Sequence, residues 1–160
     1  MIHIRENDYL MLKKENIEFL IVHCSDTPNE EHLTAMDIHQ MHLGFGWNGI
    51  GYHKVILRNG DIENGRPEYW VGAHVKGKNF ISLGVCLIGK NNFTKNQFNS
   101  LEKILKLWKK EYPFSVIQGH RDTKSSKKTC PLNSSGANRR ASRRLHSSAF
   151  ETFATNISED

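Results

Sequence analysis

Two short apolar runs constrain the fold of this chain more than any other feature. Residues 17–22 read IEFLIV, and residues 82–88 read SLGVCLI. Each run has the length of a strand and is bounded by polar or turn-forming residues, which is typical of strands buried within a sheet. We therefore expect both runs to lie in the interior of a sheet whose faces are covered.

Two amphipathic helices are predicted to cover that sheet. Thr34 is a suitable N-cap with Asp37 three residues later, and an apolar stripe follows. Thr94 and Gln97 repeat the pattern before a longer helix that ends ahead of Pro113. Both helices therefore carry their own start signals.

Shorter strands complete the pattern. Residues 51–57 (GYHKVIL) alternate, residues 58–61 (RNGD) form a hairpin turn into residues 62–64, and residues 114–117 form a last strand. The element order is β-α-β-β-β-α-β. It predicts an α/β fold, a single domain with a central mixed β-sheet flanked by α-helices.

The length of 160 residues suits one domain. We expect an N-terminal segment over residues 1–16, the folded domain over residues 17–131, and a basic, disordered tail over residues 132–160. The N-terminus lacks the apolar segment of a secretory signal peptide. We therefore expect the chain to be made in the cytoplasm and to stay there until something else releases it.

Three cysteines are too few for a disulfide framework, which favours reduced thiols. Cys86 lies inside an apolar run and is expected to be a buried structural thiol. Cys24 should point away from the face that carries His23, because side chains alternate along a strand.

The net charge of +5 is concentrated near the C-terminus. No acidic residue lies between Asp122 and Glu151, and such a basic run attracts polyanions. We expect contact with an anionic polymer or a membrane, and the alternative is a solvated tail. Specific nucleic-acid recognition is disfavoured, because aromatic residues are not interleaved with the charges. The basic residues are Lys124, Lys127, Lys128, Arg139, Arg140, Arg143 and Arg144.

Two histidines stand at the ends of predicted strands. His23 follows the run 17–22, and His120 follows the last strand. Strand ends are where sites assemble in α/β sheets. With Cys130, the two imidazoles make a set of three Zn²⁺ ligands that leaves a fourth position for water, as in catalytic zinc sites. Spacing alone leaves open the alternative that residues 119–130 are a basic surface loop.

The other histidines have plainer interpretations. His39 and His42 share a helix face and are expected at the surface or in a groove rather than on a metal. His53 can point to either face of its strand. His74 lies in a Gly-rich loop from which it can reach a ligand. Three more are expected to be exposed to solvent: His3, His32 and His146.

Five segments give the chain a family resemblance. In order they are IVHCSDT (21–27), GIGYHKVILRNGDIENGRP (49–67), VGAHVKGKNFISLGVCLIG (71–89), GHRD (119–122) and KTCP (128–131). They resemble the zinc N-acetylmuramoyl-L-alanine amidases, a superfamily that includes phage amidase-type lysozymes and peptidoglycan recognition proteins. The resemblance covers residues 17–131. The sequence after Pro131 does not follow the family's usual ending.

The resemblance implies an activity and assigns site residues. The activity is zinc-dependent hydrolysis of the amide bond between N-acetylmuramic acid and L-alanine in bacterial peptidoglycan. The implied catalytic residues are Tyr52 and Lys128, with Lys127 as a competitor for the second position. The implied zinc ligands are His23, His120 and Cys130.

Further roles follow from the same resemblance. His74, Asn79 and Ser82 are expected to line the substrate groove. Asp122 is expected to hydrogen-bond a ligand histidine and fix its tautomer. The alternative for Asp122 is a turn residue or a salt bridge to Arg121.

The resemblance favours a phage or prophage endolysin that acts as a monomer on the cell wall after release. The alternative function is a peptidoglycan-binding module without catalysis. Retention of Tyr52, Lys128 and Cys130 argues against that alternative.

Overall fold

A computed structural model describes residues 10–122. Predictions that concern residues 1–9 and 123–160, including those for Lys128, Cys130 and the basic tail, lie outside the described residues. The strands are β1 (Phe19–Cys24), β2 (Lys54–Ile56), β3 (Ile62–Asn64), β4 (Ser82–Leu87) and β5 (Val116–Gly119), and the helices are α1 (Ala35–Gly44) and α2 (Lys95–Glu111). Short 3₁₀ turns cover Lys14–Asn16, Asn79–Ile81 and His120–Asp122.

The five strands form one mixed sheet in the order β3-β2-β4-β1-β5. β1 pairs in parallel with both β4 and β5, and β2 pairs in parallel with β4. Only the hairpin strand β3 runs antiparallel, against β2. The predicted α/β class, the element order and the central position of the two apolar runs are confirmed.

Both faces of the sheet are covered, as the apolar runs required. On one face, Leu20 and Val22 of β1 pack in a core with α2. On the other face, Val55 of β2 packs with Ile38 of α1 and with Trp70. Neighbouring strand residues therefore serve different cores, and this alternation sends His23 to the face opposite Val22 and Cys24.

Both predicted capping boxes are present. The Thr34 hydroxyl accepts a hydrogen bond from the Asp37 backbone N–H, and the Asp37 carboxylate accepts one from the Thr34 backbone N–H. Thr94 and Gln97 form the same pair at the start of α2. These local bonds satisfy donors that the first turn of a helix leaves without partners.

Strand boundaries differ from the predictions by two residues or more in β1, β2 and β5. β1 continues through His23 and Cys24, β2 starts only at Lys54, and β5 is shifted by two residues towards His120. Residues 51–53 precede β2 without being part of it: the His53 N–H still donates to the Gly84 carbonyl of β4, whereas the Gly51 N–H donates to the His42 side chain, as described below. Within the described residues, no helix is long and apolar enough to cross a bilayer.

Gln97 joins α2 to the sheet. Its side chain is fully buried, and its amide donates to the carbonyls of Ile88, at 2.9 Å, and Ile56, at 3.4 Å. Its amide oxygen accepts from the Thr94 N–H and from the Arg58 guanidinium. One side chain thus serves four polar groups at the junction of helix and sheet.

We expect Gln97→Met to lower the free energy of unfolding by about 2–3 kcal/mol, because it leaves buried polar groups without partners. Urea unfolding followed by circular dichroism measures the change. Gln40→Met, the same replacement at an exposed position of α1, serves as the control and should cost less than about 0.5 kcal/mol. Equal losses in the two variants would contradict the role assigned to Gln97.

Candidate active site

Parallel pairing of β1 with β5 brings two histidines together. Val22 lies opposite Gly119 in the register, so the next residue on each strand, His23 and His120, lies at the same edge of the sheet. Their Nδ1 atoms are 3.0 Å apart, and both side chains are buried. Residues 97 positions apart in sequence therefore form one site, as the strand-end argument predicted.

The facing nitrogens fit a metal ion. Two imidazole ligands on a tetrahedral Zn²⁺, with bonds of about 2.0–2.1 Å, lie roughly 3.3 Å apart, close to the observed separation. The third predicted ligand, Cys130, lies outside the described residues. Within residues 10–122, no group of three or more His, Cys, Asp or Glu side chains is placed to hold a metal ion.

His74 lies directly behind His23. The Nε2 of His23 is 2.8 Å from the Nδ1 of His74, and the Nε2 of His74 is 3.3 Å from the Ser82 hydroxyl oxygen. The Ser82 hydroxyl donates to the Lys78 carbonyl at 2.7 Å. Burial holds the pKa of His74 well below its ordinary value, and the nearby His53 and His120 act in the same direction. His74 is therefore a neutral imidazole.

Two glycines make room for the His74 ring. A Cβ built on Gly84 of β4 would come within 2.6 Å of the His74 ring, and one on Gly72 within 2.5 Å. Any other residue at either position would displace the ring. The His74 imidazole therefore occupies the space beside Gly84 and Gly72 that a side chain at either position would otherwise fill.

Tyr52 packs against the histidine pair. Its ring centroid lies 5.1 Å from that of His23 and 5.4 Å from that of His42. Its hydroxyl hydrogen-bonds the thiol of Cys86, which is fully buried, as predicted. Burial raises the pKa of that thiol well above its ordinary value, so Cys86 is a neutral structural group. The predicted catalytic tyrosine is therefore beside the predicted zinc ligands.

The prediction of surface or groove positions for His39 and His42 is wrong. Both rings are buried. The Nδ1 of His39 accepts from the Ile50 N–H, and the Nδ1 of His42 accepts from the Gly51 N–H, each at 3.0 Å. The chain before β2 has left the sheet, so its N–H groups need side-chain acceptors.

His53 has a comparable role on the other side of Tyr52. Its Nδ1 accepts from the Gly84 N–H at 3.0 Å, and its Nε2 donates to the Trp70 carbonyl at 2.8 Å. Burial lowers its pKa to about 4. The sequence left the orientation of His53 open, and the structure places it inside, as a neutral link between β4 and the loop that carries Trp70.

A groove of about 360 Å³ borders the loop that carries His74. Its walls include Trp47, Arg66, Gly72, Asn79 and Phe80. Of the three residues predicted to line a substrate groove, Asn79 borders this one. Its Oδ1 accepts from two consecutive backbone N–H groups at the His74 loop, which fixes the loop.

The other two predicted groove residues lie deeper. His74 is buried against His23, and Ser82 has no exposed surface. Asp122 accepts from the Gly119 N–H at 3.1 Å and pairs with the Arg121 guanidinium. This contact favours the turn-residue alternative for Asp122, and it holds the backbone immediately before His120.

Comparisons with known proteins identify the family of the chain. The family model of N-acetylmuramoyl-L-alanine amidase matches residues 13–133. The endolysin of Enterobacteria phage T3 is 39% identical over an alignment 122 positions long, which covers 71% of this chain and 80% of that protein.

Solved structures give the same result for the fold. The endolysin amidase LysCS from Clostridium intestinale superposes with a TM-score of 0.68 at 29% identity, over 79% of this chain and 82% of that one. Peptidoglycan recognition protein LE, solved in complex with tracheal cytotoxin, has a TM-score of 0.68 at 23% identity, over 79% and 81% of the two chains. At that identity the second likeness concerns the fold alone.

The buried His53 makes stability depend on pH. The unfolded chain takes up a proton at this ring near pH 6.5, whereas the folded chain does so only near pH 4. The contribution of the neutral His53 ring to the free energy of unfolding is therefore complete above pH 6.5 and is lost as the pH falls towards 4. It amounts to about 3 kcal/mol.

Urea unfolding of chelator-treated protein between pH 7.5 and 4 measures this effect. We expect His53→Gln to be less stable at pH 7.5 and to lose less stability over the same range, because its side chain does not titrate. The carboxylates titrate in both the wild type and His53→Gln. The difference between the two curves of unfolding free energy against pH therefore isolates the effect of His53. Parallel curves would show that His53 does not titrate as described.

Proposed function

Because the chain belongs to the N-acetylmuramoyl-L-alanine amidase family, we propose that it cleaves the amide bond between N-acetylmuramic acid and L-alanine in bacterial peptidoglycan. The observation that carries the proposal is the meeting of His23 and His120 at one sheet edge, beside Tyr52. The phage relatives favour an endolysin, which acts on the cell wall after release from the cytoplasm.

We propose that His23, His120 and Cys130 hold Zn²⁺. When bound, zinc supplies a Lewis acid that makes water nucleophilic near neutral pH and polarises the scissile carbonyl. The two proposed histidine ligands are buried, and their Nδ1 atoms face each other. In a neutral imidazole such a nitrogen can bind a metal through its lone pair. Cys130 would add a thiolate as the third protein ligand, which leaves a fourth position for water, as in catalytic zinc sites.

The remaining chemistry falls to Tyr52 and Lys128. Cleavage moves negative charge onto the carbonyl oxygen and requires a proton on the leaving amine. Lys128 precedes Cys130 by two residues, so a ligand at Cys130 brings this cation to the site, where it stabilises the oxyanion. The Tyr52 ring packs beside His23, from which position its hydroxyl orients water or relays a proton to the amine.

The groove beside the site gives peptidoglycan a place to bind. It is open, partly aromatic and bordered by the buried Arg66 cation, which bonds the carbonyls of Ile50 and Val71. It runs past Gly72 and Ala73 to the loop that carries His74. We propose that the part of the substrate next to the scissile amide lies along this groove.

Metal removal tests the proposal. Purified protein with zinc should release new L-alanine amino termini from peptidoglycan, and chelator should abolish the release until zinc is restored. Cys130→Ser should lose bound zinc and activity together. Cys24→Ser, at a buried thiol on the opposite face of β1, is the matched control and should keep both. Activity that persists in fully chelated protein would reject the zinc mechanism.

Lys128→Ala should keep zinc and lose activity by about 100-fold or more, because an oxyanion would lose its cation. Lys127→Ala is the matched control, since it removes the same charge one residue away. Zinc content and initial rates on peptidoglycan distinguish the two. A loss confined to Lys127→Ala would move the catalytic role to that residue, and full activity in Lys128→Ala would remove the role from Lys128.

A further inference from the structure

We propose that Ser82 and His74 form a hydrogen-bond relay that fixes the tautomer of His23. The relay places the ring proton of His23 on Nε2 and leaves Nδ1 unprotonated, directed at His120. Its consequence for metal binding rests on the proposed function, whereas the tautomer itself is a property of the metal-free protein. Ser82 and His74 act as positioning residues in this proposal.

The relay starts at a fixed acceptor. The Ser82 hydroxyl has one proton and donates it to the Lys78 carbonyl at 2.7 Å. Towards His74 the same oxygen can only accept. The Nε2 of His74, 3.3 Å away, must therefore carry a proton.

The second step follows from the burial of His74, which is 7% exposed and lies between Ser82 and His23. A charged ring would lose its hydration there without an acidic group at either contact, so the ring is uncharged. A neutral imidazole has one N–H, so its other nitrogen is an acceptor. With the proton on Nε2, the Nδ1 of His74 accepts from its neighbour at 2.8 Å, the Nε2 of His23. His23 therefore carries a proton on Nε2. In a neutral ring this is the one proton, so the Nδ1 lone pair faces the Nδ1 of His120 at 3.0 Å.

Packing holds the relay in place. Gly84 and Gly72 leave space for the His74 ring and for nothing larger beside it. The rings of His23 and His74 meet edge to face at a centroid distance of 4.9 Å. Ser82 has no exposed surface and His74 has 7%, so water does not replace the relay's bonds.

The relay prepares His23 for a metal. Zinc binds the lone pair of a neutral imidazole, and the hydrogen bond on the other nitrogen selects which lone pair is available. Metal affinity in such sites typically falls 10–100-fold when this outer partner is removed. We therefore expect Ser82 and His74 to set zinc affinity without touching the reacting atoms.

The test uses the full-length protein labelled with ¹⁵N-histidine. Long-range ¹H–¹⁵N spectra of the metal-free protein should show His23 and His74 as Nε2–H tautomers. Ser82→Ala should give mixed tautomers at both rings. His74→Phe should release His23 alone. His32→Ala, at an exposed histidine, is the control and should change neither ring.

Zinc competition against a chromogenic chelator supplies the second readout. We expect roughly 10–100-fold weaker binding in Ser82→Ala and His74→Phe, with His32→Ala unchanged. Thermal unfolding of the metal-free proteins separates this loss from loss of the fold, and Ser82→Ala is the variant that removes only one buried oxygen atom.

Each outcome decides something different. A wild-type protein with His23 as the Nδ1–H tautomer, or unchanged spectra in both variants, would overturn the relay. A wild-type protein that has the expected tautomers but binds no zinc would reject the proposed function and leave the relay standing. If folded Ser82→Ala and His74→Phe bound zinc as tightly as the wild type, the relay would not set the zinc affinity.

Discussion

Parallel pairing of β1 with β5 is the constraint on which the rest of the site depends. It aligns two carboxyl ends of strands at one edge, and each chain continues into a histidine there. A shift of one residue in that register would turn His23 into the apolar core and bring Val22 to the site. The cores on both faces of the sheet therefore specify the position of His23, the first proposed ligand, as firmly as they specify the fold.

A second layer of histidines supports this edge. Of the seven histidines in residues 10–122, only His32 is exposed, and the other six are buried. His39, His42 and His53 accept from backbone N–H groups near Tyr52, and His74 contacts His23. Each neutral ring can accept at one nitrogen and donate at the other, which suits a region where the chain leaves the sheet but remains inside the protein.

Local signals predicted much of the fold. The capping boxes at Thr34 and Thr94 and the apolar run around Cys86 needed only neighbouring residues to be recognised, and all three are confirmed. The strand-end argument also placed His23 and His120 together, because it depends on sheet chemistry rather than on exact boundaries. The family resemblance supplied the proposed role of Tyr52, which periodicity alone would not have indicated.

The interior roles of His39, His42 and Ser82 could not be predicted in the same way. Helix periodicity reports which face is apolar, but it does not report that the N–H groups of Ile50 and Gly51 need acceptors from α1. Ser82 begins a strand and looks like an ordinary boundary residue. Its contacts are with Lys78 and His74, whose positions follow from the tertiary fold.

The space above Gly84 also affects the entropy of ligand binding. A free histidine side chain samples several rotamers, and a metal that binds it must restrict them. Here the ring of His74 occupies that space and presses against His23, so the rotamers of both rings are already restricted when the chain folds. That ordering cost belongs to folding, where the apolar cores offset it, and a metal ion at the proposed site would meet histidines that are already in position.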